Sequence, residues 1–219
     1  MVKLPDLEGS PPSTARIEAF SDGVAAILIT IMVLDLKLPT DLFHGSRLAD
    51  VLIVFWPKLV VYAVSFIMIA ILLVNHHLIL RVAPHSTTAL YWWNANFLFW
   101  MSLIPLSTAV LGNAPTEPAA VAFYGGVLTA NAVSFTLLHR YAVTIGSKTG
   151  KLDRVHVLII YKDSFFTALY ALSVPLAFVS IYLSILIFLI APAAYFFPEY
   201  VPWPRSWHSR ETGALKFWR

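Results

Sequence analysis

The chain has 219 residues, of which 58% are hydrophobic and only 12% are charged, and its mean hydropathy is +0.74. This composition lies outside the range of soluble globular domains and indicates a membrane protein. The absence of cysteine from the sequence excludes disulfides, thiolate metal sites and cysteine nucleophiles. The net charge of +3 gives no reason to expect nucleic acid as a partner, because the basic residues follow the membrane topology.

Apolar runs divide the chain into membrane-spanning segments behind a short N-terminal tail. Residues 1–15 contain prolines and acidic residues without an apolar core, so they predict a cytosolic tail and not a cleavable signal peptide. Each of the next four runs is long enough for a helix to cross roughly 30 Å of hydrocarbon. The first is expected to stop at Pro39. The four runs cover about 17–36, 51–80, 90–111 and 118–143.

The last apolar region, 155–197, is too long for one span. A single helix of that length would reach roughly 65 Å, about twice the thickness of the hydrocarbon core. We therefore expect a hairpin of two spans that breaks near 173–180, where Pro175 interrupts the run. The sequence thus predicts an all-α membrane protein with six transmembrane helices over 16–198, followed by a cytosolic tail over 199–219 that is rich in basic and aromatic residues.

The distribution of basic residues predicts that both termini lie in the cytosol. With six spans, twelve of the 15 Lys and Arg residues fall on the side of the termini and three on the other side. Loops on the cytosolic side of membranes are enriched in Lys and Arg, so the richer side is cytosolic. An odd number of spans would place the basic C-terminal tail outside, so the same distribution supports six. The three residues on the poorer side are Lys37, Arg47 and Lys58.

The first span has a marked apolar stripe. On a helical wheel, five of its residues fall within a stripe about 100° wide. Arg16 lies on the same side, whereas Asp22 points elsewhere. Two interpretations are open: a lipid-facing or core-packing surface, or a pore wall in which branched aliphatic side chains and one ring of hydroxyls form a hydrophobic constriction. The stripe residues are Gly23, Ile27, Thr30, Ile31 and Leu34.

A motif at the start of this span resembles a known family. The residues from Arg16 to Gly23 read Arg-Ile-Glu-Ala-Phe-Ser-Asp-Gly and fit the RxxxFSDG signature of the transmembrane protein 175 family, the endolysosomal potassium channels and their bacterial relatives. Other features of the first three spans also look like this family. They are Thr30 and the ending Leu38-Pro39 of the first span, Asn75-His76-His77 in the second, and Asn94, the SLIP sequence at 102–105 and Thr108 in the third.

The resemblance implies a modestly potassium-selective cation channel that uses no cofactor. Bacterial members with a single six-helix repeat are homotetramers in the plasma membrane, with a central pore lined by the first helix, and this sequence has no second repeat. Expected partners are therefore further copies of the chain, membrane lipids, and potassium and other monovalent cations. The family pattern implies Ile27 at the narrowest ring and Ile31 and Leu34 in further apolar rings, with the hydroxyl of Thr30 close by.

The resemblance also implies a polar network at the cytosolic end of the first span. Ionisable groups near hydrocarbon are costly and usually pair inside the bundle. The network would fix the angle of the pore helix. The simpler alternative is that Ser21 or Asp22 only caps or solvates the end of a helix. The expected members are Arg16, Ser21, Asp22, His77 and Asn94.

No residue pattern in the sequence indicates an enzyme or a metal site. His76 and His77 are adjacent, so on a helix they point about 100° apart and cannot easily close on one ion. No HExxH motif or Ser/His/Asp constellation has suitable spacing for catalysis. The alternative function is a secondary transporter, because Pro105 and Pro175 could mark broken helices that bind a solute or ion. The two halves of the sequence share no matching motif, which gives this alternative no support.

Overall fold

A computed structural model describes residues 13–37, 48–146 and 154–196, and within these residues the prediction of an all-α fold is confirmed. The predicted tails and the loop at 147–153 lie wholly or largely outside the described residues, as does the expected stop at Pro39. The helices are α1 (Ala15–Leu34), α2 (Leu48–Val82), α3 (Thr88–Ser102), α4 (Ile104–Asn113), α5 (Pro118–Gly146), α6 (Arg154–Leu176) and α7 (Ile181–Phe196).

Four helical stretches in the described part of the chain are long and apolar enough to cross a membrane. They correspond to the first four predicted spans, which hydropathy alone had located. A shorter apolar helix, Ile181–Pro192, lies within α7. The chain is therefore a membrane protein with several hydrophobic helices. The four stretches are Ala15–Leu34, Ala49–Val82, Thr88–Asn113 and Pro118–Gly146.

The third span is divided into α3 and α4 by a single residue, Leu103. Pro105 lies in the first turn of α4, where its missing N–H removes no helical hydrogen bond. The Leu103 N–H donates to the Trp100 carbonyl at 3.2 Å, and the Ser107 N–H donates to the Leu103 carbonyl at 3.0 Å. Since backbone hydrogen bonding continues through the break, Pro105 produces a local kink and not an unwound segment that exposes backbone groups.

The break between α6 and α7 falls inside the predicted window at 173–180, since α6 ends at Leu176 and α7 begins at Ile181. The N–H of Ser180 donates to the Leu176 carbonyl at 2.7 Å, which closes the turn. The hydroxyl of Ser184 donates to the Ser173 carbonyl at 2.7 Å and ties the start of α7 to the end of α6. The predicted position of the break is confirmed.

The helices pack around a core in which α2 and α5 each contact four or more neighbours. The first helix packs against α2, α3 and α4, whereas α6 packs mainly against α5 and α7. The largest fully buried side chains include Tyr124, Phe97, Ile69 and Leu80. This arrangement holds one face of α1 against the bundle and leaves its other face uncovered in the single chain.

Candidate pore helix and its polar support

The first helix has one face that is buried and one that is exposed. The buried side chains are those of Ile17, Ser21, Ala25, Leu28 and Met32, which recur every three or four residues and pack against the bundle. The predicted stripe lies on the opposite face, and all five of its residues are exposed in the single chain. The exposed fractions are 58% for Ile27, 45% for Ile31 and 68% for Leu34.

The exposed face contains one aromatic residue outside the predicted stripe. Phe20 is 63% exposed and lies on the same side of α1 as Ile27, two turns closer to the N-terminus. Gly23 lies between them in sequence, and a Cβ atom built on it would meet no other atom within 4 Å. The exposed face therefore carries a bulky ring at Phe20, no side chain at Gly23, and branched aliphatic side chains from Ile27 onward.

Thr30 presents an oxygen atom on this otherwise apolar face. Its Oγ1 lies 3.1 Å from the Ala26 carbonyl and 2.9 Å from the Ile27 carbonyl, and the hydroxyl donates to these backbone oxygens. Because the hydroxyl hydrogen is directed into the helix, the lone pairs of Oγ1 remain available as acceptors on the exposed side. An acceptor oxygen of this kind can interact with a cation or with its hydration shell.

The buried face of α1 is joined to α2 and α3 by hydrogen bonds through Asn94. Asn94 Nδ2 donates to Ser21 Oγ at 3.1 Å, and His76 Nε2 lies 2.6 Å from Asn94 Oδ1. The Ser21 hydroxyl itself donates to the Ile17 carbonyl at 2.8 Å. The three side chains that form these hydrogen bonds are at most 3% exposed, so the hydrogen bonds are shielded from solvent. We call Ser21, Asn94 and His76 the buried triad.

The geometry of the buried triad fixes the roles of its atoms. Ser21 Oγ also lies 3.4 Å from Asn94 Oδ1, but its hydrogen is used by the Ile17 carbonyl at a shorter distance. Asn94 Oδ1 is an acceptor, so His76 Nε2 must carry the hydrogen, and His76 Nδ1 is then an acceptor. Within the described residues this Nδ1 is buried and has no hydrogen-bond partner. The His76 ring also stacks on Phe97, with centroids 5.4 Å apart and planes at 13°.

A second polar contact joins α1 to α2 beside the buried triad. His77 Nε2 lies 2.9 Å from Asp22 Oδ1, and the two side chains are 34% and 45% exposed. Oδ1 nevertheless accepts no hydrogen bond from the described residues. The distance is that of an ion pair, but the two atoms do not form a hydrogen bond. We therefore describe the contact as an electrostatic pair and not as a hydrogen bond.

The structure thus brings four of the five expected network residues together, but in two separate contacts. Asn94 contacts Ser21 and His76, whereas Asp22 contacts His77. Arg16 is exposed, and among the described residues it makes no hydrogen bond or ion pair. His76 is not among the residues expected from the sequence, because adjacent histidines on a helix face different neighbours and the sequence does not give the rotation of α2.

Neither Ser21 nor Asp22 caps a helix. The first helix begins at Ala15, and Thr14 occupies its N-cap position. Ser21 and Asp22 lie inside α1, about two turns from its start, so their contacts with α2 and α3 orient the body of the helix. The His76 and His77 rings lie 6.3 Å apart, and each has a different partner.

Known ion channels resemble this chain over most of its length. A family model described as the endosomal/lysosomal potassium channel TMEM175 matches residues 16–105, which include both faces of α1 and the buried triad. Potassium channel Cha6605_3372 of Chamaesiphon minutus is 34% identical over 191 residues, which cover 84% of this chain and 92% of the relative. Potassium channel HX13_20290 of a Chryseobacterium species is 32% identical over 185 residues, with coverages of 84% and 93%.

A solved structure resembles the fold as well. It is the crystal structure of a lysosomal potassium-selective channel TMEM175 homologue from Chamaesiphon minutus, which matches with a TM-score of 0.74 and 31% sequence identity. The match covers 83% of this chain and 95% of the solved chain. The similarity therefore includes the helices beyond residue 105.

Proposed function

The chain is a potassium channel of the TMEM175 family, and we propose that four copies conduct ions passively through a central pore lined by α1. The observation that carries this proposal is the exposed stripe of α1. Ile27, Ile31 and Leu34 stand out from the bundle while the opposite face of the same helix is fixed against α2, α3 and α4. A stripe on one helix can enclose water only when symmetry brings several copies around one axis. A homotetramer supplies that symmetry.

We place the subunit in the plasma membrane with six spans and both termini in the cytosol. The hairpin of α6 and α7 would supply spans five and six. Its exposed side chains are apolar or aromatic at many positions, including Phe165, Phe178, Tyr182 and Leu186. Such a surface suits contact with lipid. The excess of Lys and Arg on the side of the termini supports this orientation.

We propose that selectivity arises at the apolar constriction formed by Ile27, Ile31 and Leu34, which we call the neck. The sequence contains no TVGYG-like loop whose carbonyl oxygens could replace the hydration shell of an ion. An ion passing rings of Ile27, Ile31 and Leu34 would lose part of its water without full compensation, with only the Thr30 oxygen close by. Potassium holds its water less tightly than sodium, so potassium would pass more readily. The expected discrimination is modest, and the same rings would act as a hydrophobic gate.

The polar contacts behind α1 would hold the pore helix at a fixed angle. The buried triad and the Asp22–His77 pair join the helix to α2 and α3 on its buried side. A small rotation of α1 would replace the aliphatic stripe at the axis by other side chains. Arg16 is exposed on the face opposite to these contacts, so we propose that it would join the network only through a neighbouring copy of the chain.

The proposal is tested with purified protein in liposomes, by measuring potassium, sodium and caesium flux down imposed gradients. Wild-type protein should pass potassium without saturation or coupling to a second solute. Ile27→Ala should raise the flux and lower the potassium-to-sodium ratio, because it widens the neck. Val33→Ala is a matched control, since Val33 is an aliphatic residue of α1 that is 49% exposed but lies outside the stripe. It should leave the ratio unchanged.

Two results would overturn parts of this account. Saturable uptake coupled to another gradient would support the secondary transporter, which no observation at present favours. An unchanged flux ratio in Ile27→Ala, in protein that is still tetrameric, would exclude Ile27 as the neck.

A further inference from the structure

A second buried pair of ionisable side chains lies on α5 and α6, outside the contacts of α1 described above. His139 Nδ1 is 2.9 Å from Asp163 Oδ2, and the two side chains are only 4% and 5% exposed. Ionisable residues buried in a membrane protein are expensive, and they most often mark a functional position. The pore and its polar support do not use this pair.

A continuous series of ring contacts leads from this pair toward the pore helix. The His139 and Phe135 ring centroids are 6.5 Å apart, those of Phe135 and Phe97 are 5.5 Å apart, and those of Phe97 and His76 are 5.4 Å apart. We call Phe135, Phe97 and His76 the ring stack. All of these side chains are at most 6% exposed. His76 is also a member of the buried triad, which ends at Ser21 on α1.

The ring stack therefore joins Asp163 on α6 to Ser21 on α1 through α5, α3 and α2. Side chains in a close-packed interior cannot move independently, so a displacement at one end is transmitted to its neighbours. The alternative is that the rings only fill the core. Spatial continuity does not distinguish these possibilities, because coupling has to be measured.

A small cavity gives the stack room for a second arrangement. Its volume is about 30 Å³, and it lies between α2, α5 and α6, where Phe135, Asp163 and Asn75 form part of its wall. Its wall is mostly apolar, with Asn75, Asn131 and Asp163 among the polar residues, and the space is large enough for one ordered water beside them. Water beside the Asp163 carboxylate would solvate the pair, and the same space would accept a shift of the Phe135 ring.

We propose that His139 and Asp163 are positioning residues for ion conduction, which set the orientation of α1 through the ring stack and the buried triad. The proposal rests on the pore function proposed for α1. It predicts that a change at Asp163, which does not lie on the pore helix, alters which ions pass. A pair that only stabilises the fold would alter the amount of assembled protein but not its selectivity.

The test measures the potassium-to-sodium flux ratio in liposomes for tetrameric protein that has been isolated by size exclusion. Asp163→Asn should change the ratio about threefold or more, the size of effect that coupling through a packed network produces. Asp163→Glu, which keeps the carboxyl group, should give a ratio closer to that of the wild type than Asp163→Asn does. Tyr124→Phe is the matched control, because it removes a hydroxyl that is equally buried and lies 2.9 Å from Ser65 Oγ, away from the ring stack. It should leave the ratio unchanged.

A double-mutant cycle tests whether the effect of Asp163 on the flux ratio is transmitted through the ring stack. Phe97→Leu interrupts the ring stack, so Asp163→Asn should have little further effect on the flux ratio in a Phe97→Leu background. Phe135→Leu is a second interruption that leaves both ionisable side chains in place. If Asp163→Asn does not assemble, Phe135→Leu alone should still change the ratio.

The possible failures are distinguishable. If wild-type protein passes no potassium, or if Ile27→Ala has no effect, the proposed pore fails. If wild type conducts and Ile27→Ala changes selectivity, the inference alone is overturned by a wild-type ratio in Asp163→Asn, or in Phe135→Leu where Asp163→Asn does not assemble. Independent, additive effects of Asp163→Asn and Phe97→Leu would also overturn it.

Discussion

His76 Nε2 lies 2.6 Å from Asn94 Oδ1, and this contact joins α2 to α3 directly behind the exposed helix α1. The Asn94 amide at the same time donates to Ser21 on α1 at 3.1 Å. One side chain therefore holds three helices together.

Replacement of Asn94 by Leu should destabilise the protein by about 2–3 kcal/mol, because it leaves the buried His76 Nε2 without its acceptor and Ser21 Oγ without its donor. The measurement is the thermal unfolding temperature in detergent, together with the fraction that elutes as an oligomer. Asn96→Leu is the matched control on the same helix, since Asn96 is only partly buried and donates to Ser134 at 2.9 Å. An Asn94→Leu protein as stable as the control would contradict the role of the buried triad.

The two adjacent histidines should respond very differently to substitution. His76→Ala removes a ring that is 1% exposed and stacked on Phe97, so we expect a loss of about 3 kcal/mol or more and poor assembly. His77→Ala removes only a partly exposed electrostatic pair with Asp22, which is worth about 1 kcal/mol or less. Unfolding temperatures of the two variants, measured side by side, test this order. A larger loss for His77→Ala would mean that the rotation of α2 differs from that described.

The proposed apolar rings make a prediction about wetting. Ile31→Ser places a hydroxyl on the exposed stripe of α1, which in the proposed pore should favour water in the neck and raise potassium flux under conditions in which the wild type is closed or nearly so. Val33→Ser introduces the same group on the same helix but outside the stripe. It should leave the flux near the wild-type level. Equal effects of the two variants would show that the change acts through the helix as a whole and not through the stripe.

Two neighbouring glycines on α5 test the packing of the last hairpin. A Cβ atom at Gly125 would lie 2.5 Å from Ser173 Oγ and 3.3 Å from Phe188 Cζ, whereas one at Gly126 would meet no atom within 4 Å. Gly125→Ala should therefore cost about 1–3 kcal/mol through overpacking. Gly126→Ala should be neutral or slightly stabilising, because alanine is the better helix former. The measurement is the unfolding temperature in detergent. An equal fall for both variants would contradict the contact of α5 with α6 and α7.

The lengths of the apolar runs and the positions of helix-breaking residues were sufficient to predict most of the fold. The four long apolar helices and the break between α6 and α7 follow from the length of the runs and from Pro175. The division of the third span at Leu103 was not predicted, because a proline near the middle of a run permits either a kink or two helices. The hydrogen bond from the Ser107 N–H to the Leu103 carbonyl shows that the two helices are joined by a local kink.

The candidate site was predictable in part. Helical periodicity alone identifies the stripe through Ile27 and Leu34, since one face of a helix is a property of local sequence. Contacts between Ser21 and Asn94, 73 residues apart, depend on how whole helices are rotated, and only the family resemblance indicated them. Asp163 interrupts an otherwise apolar stretch of sequence, but its pairing with His139 depends on the register between α5 and α6.

The bare position at Gly23 has a consequence for the energy of ion passage. In a ring of four such helices, four glycines would leave a wide antechamber one turn before the constriction at Ile27, and ions could keep their full water shells there. From Ile27 to Leu34 the helix rises about 10 Å, so water would be stripped only over that distance. A brief dehydrated passage lets discrimination coexist with rapid throughput, and a bulky side chain introduced at Gly23 would lengthen that passage and slow the flow.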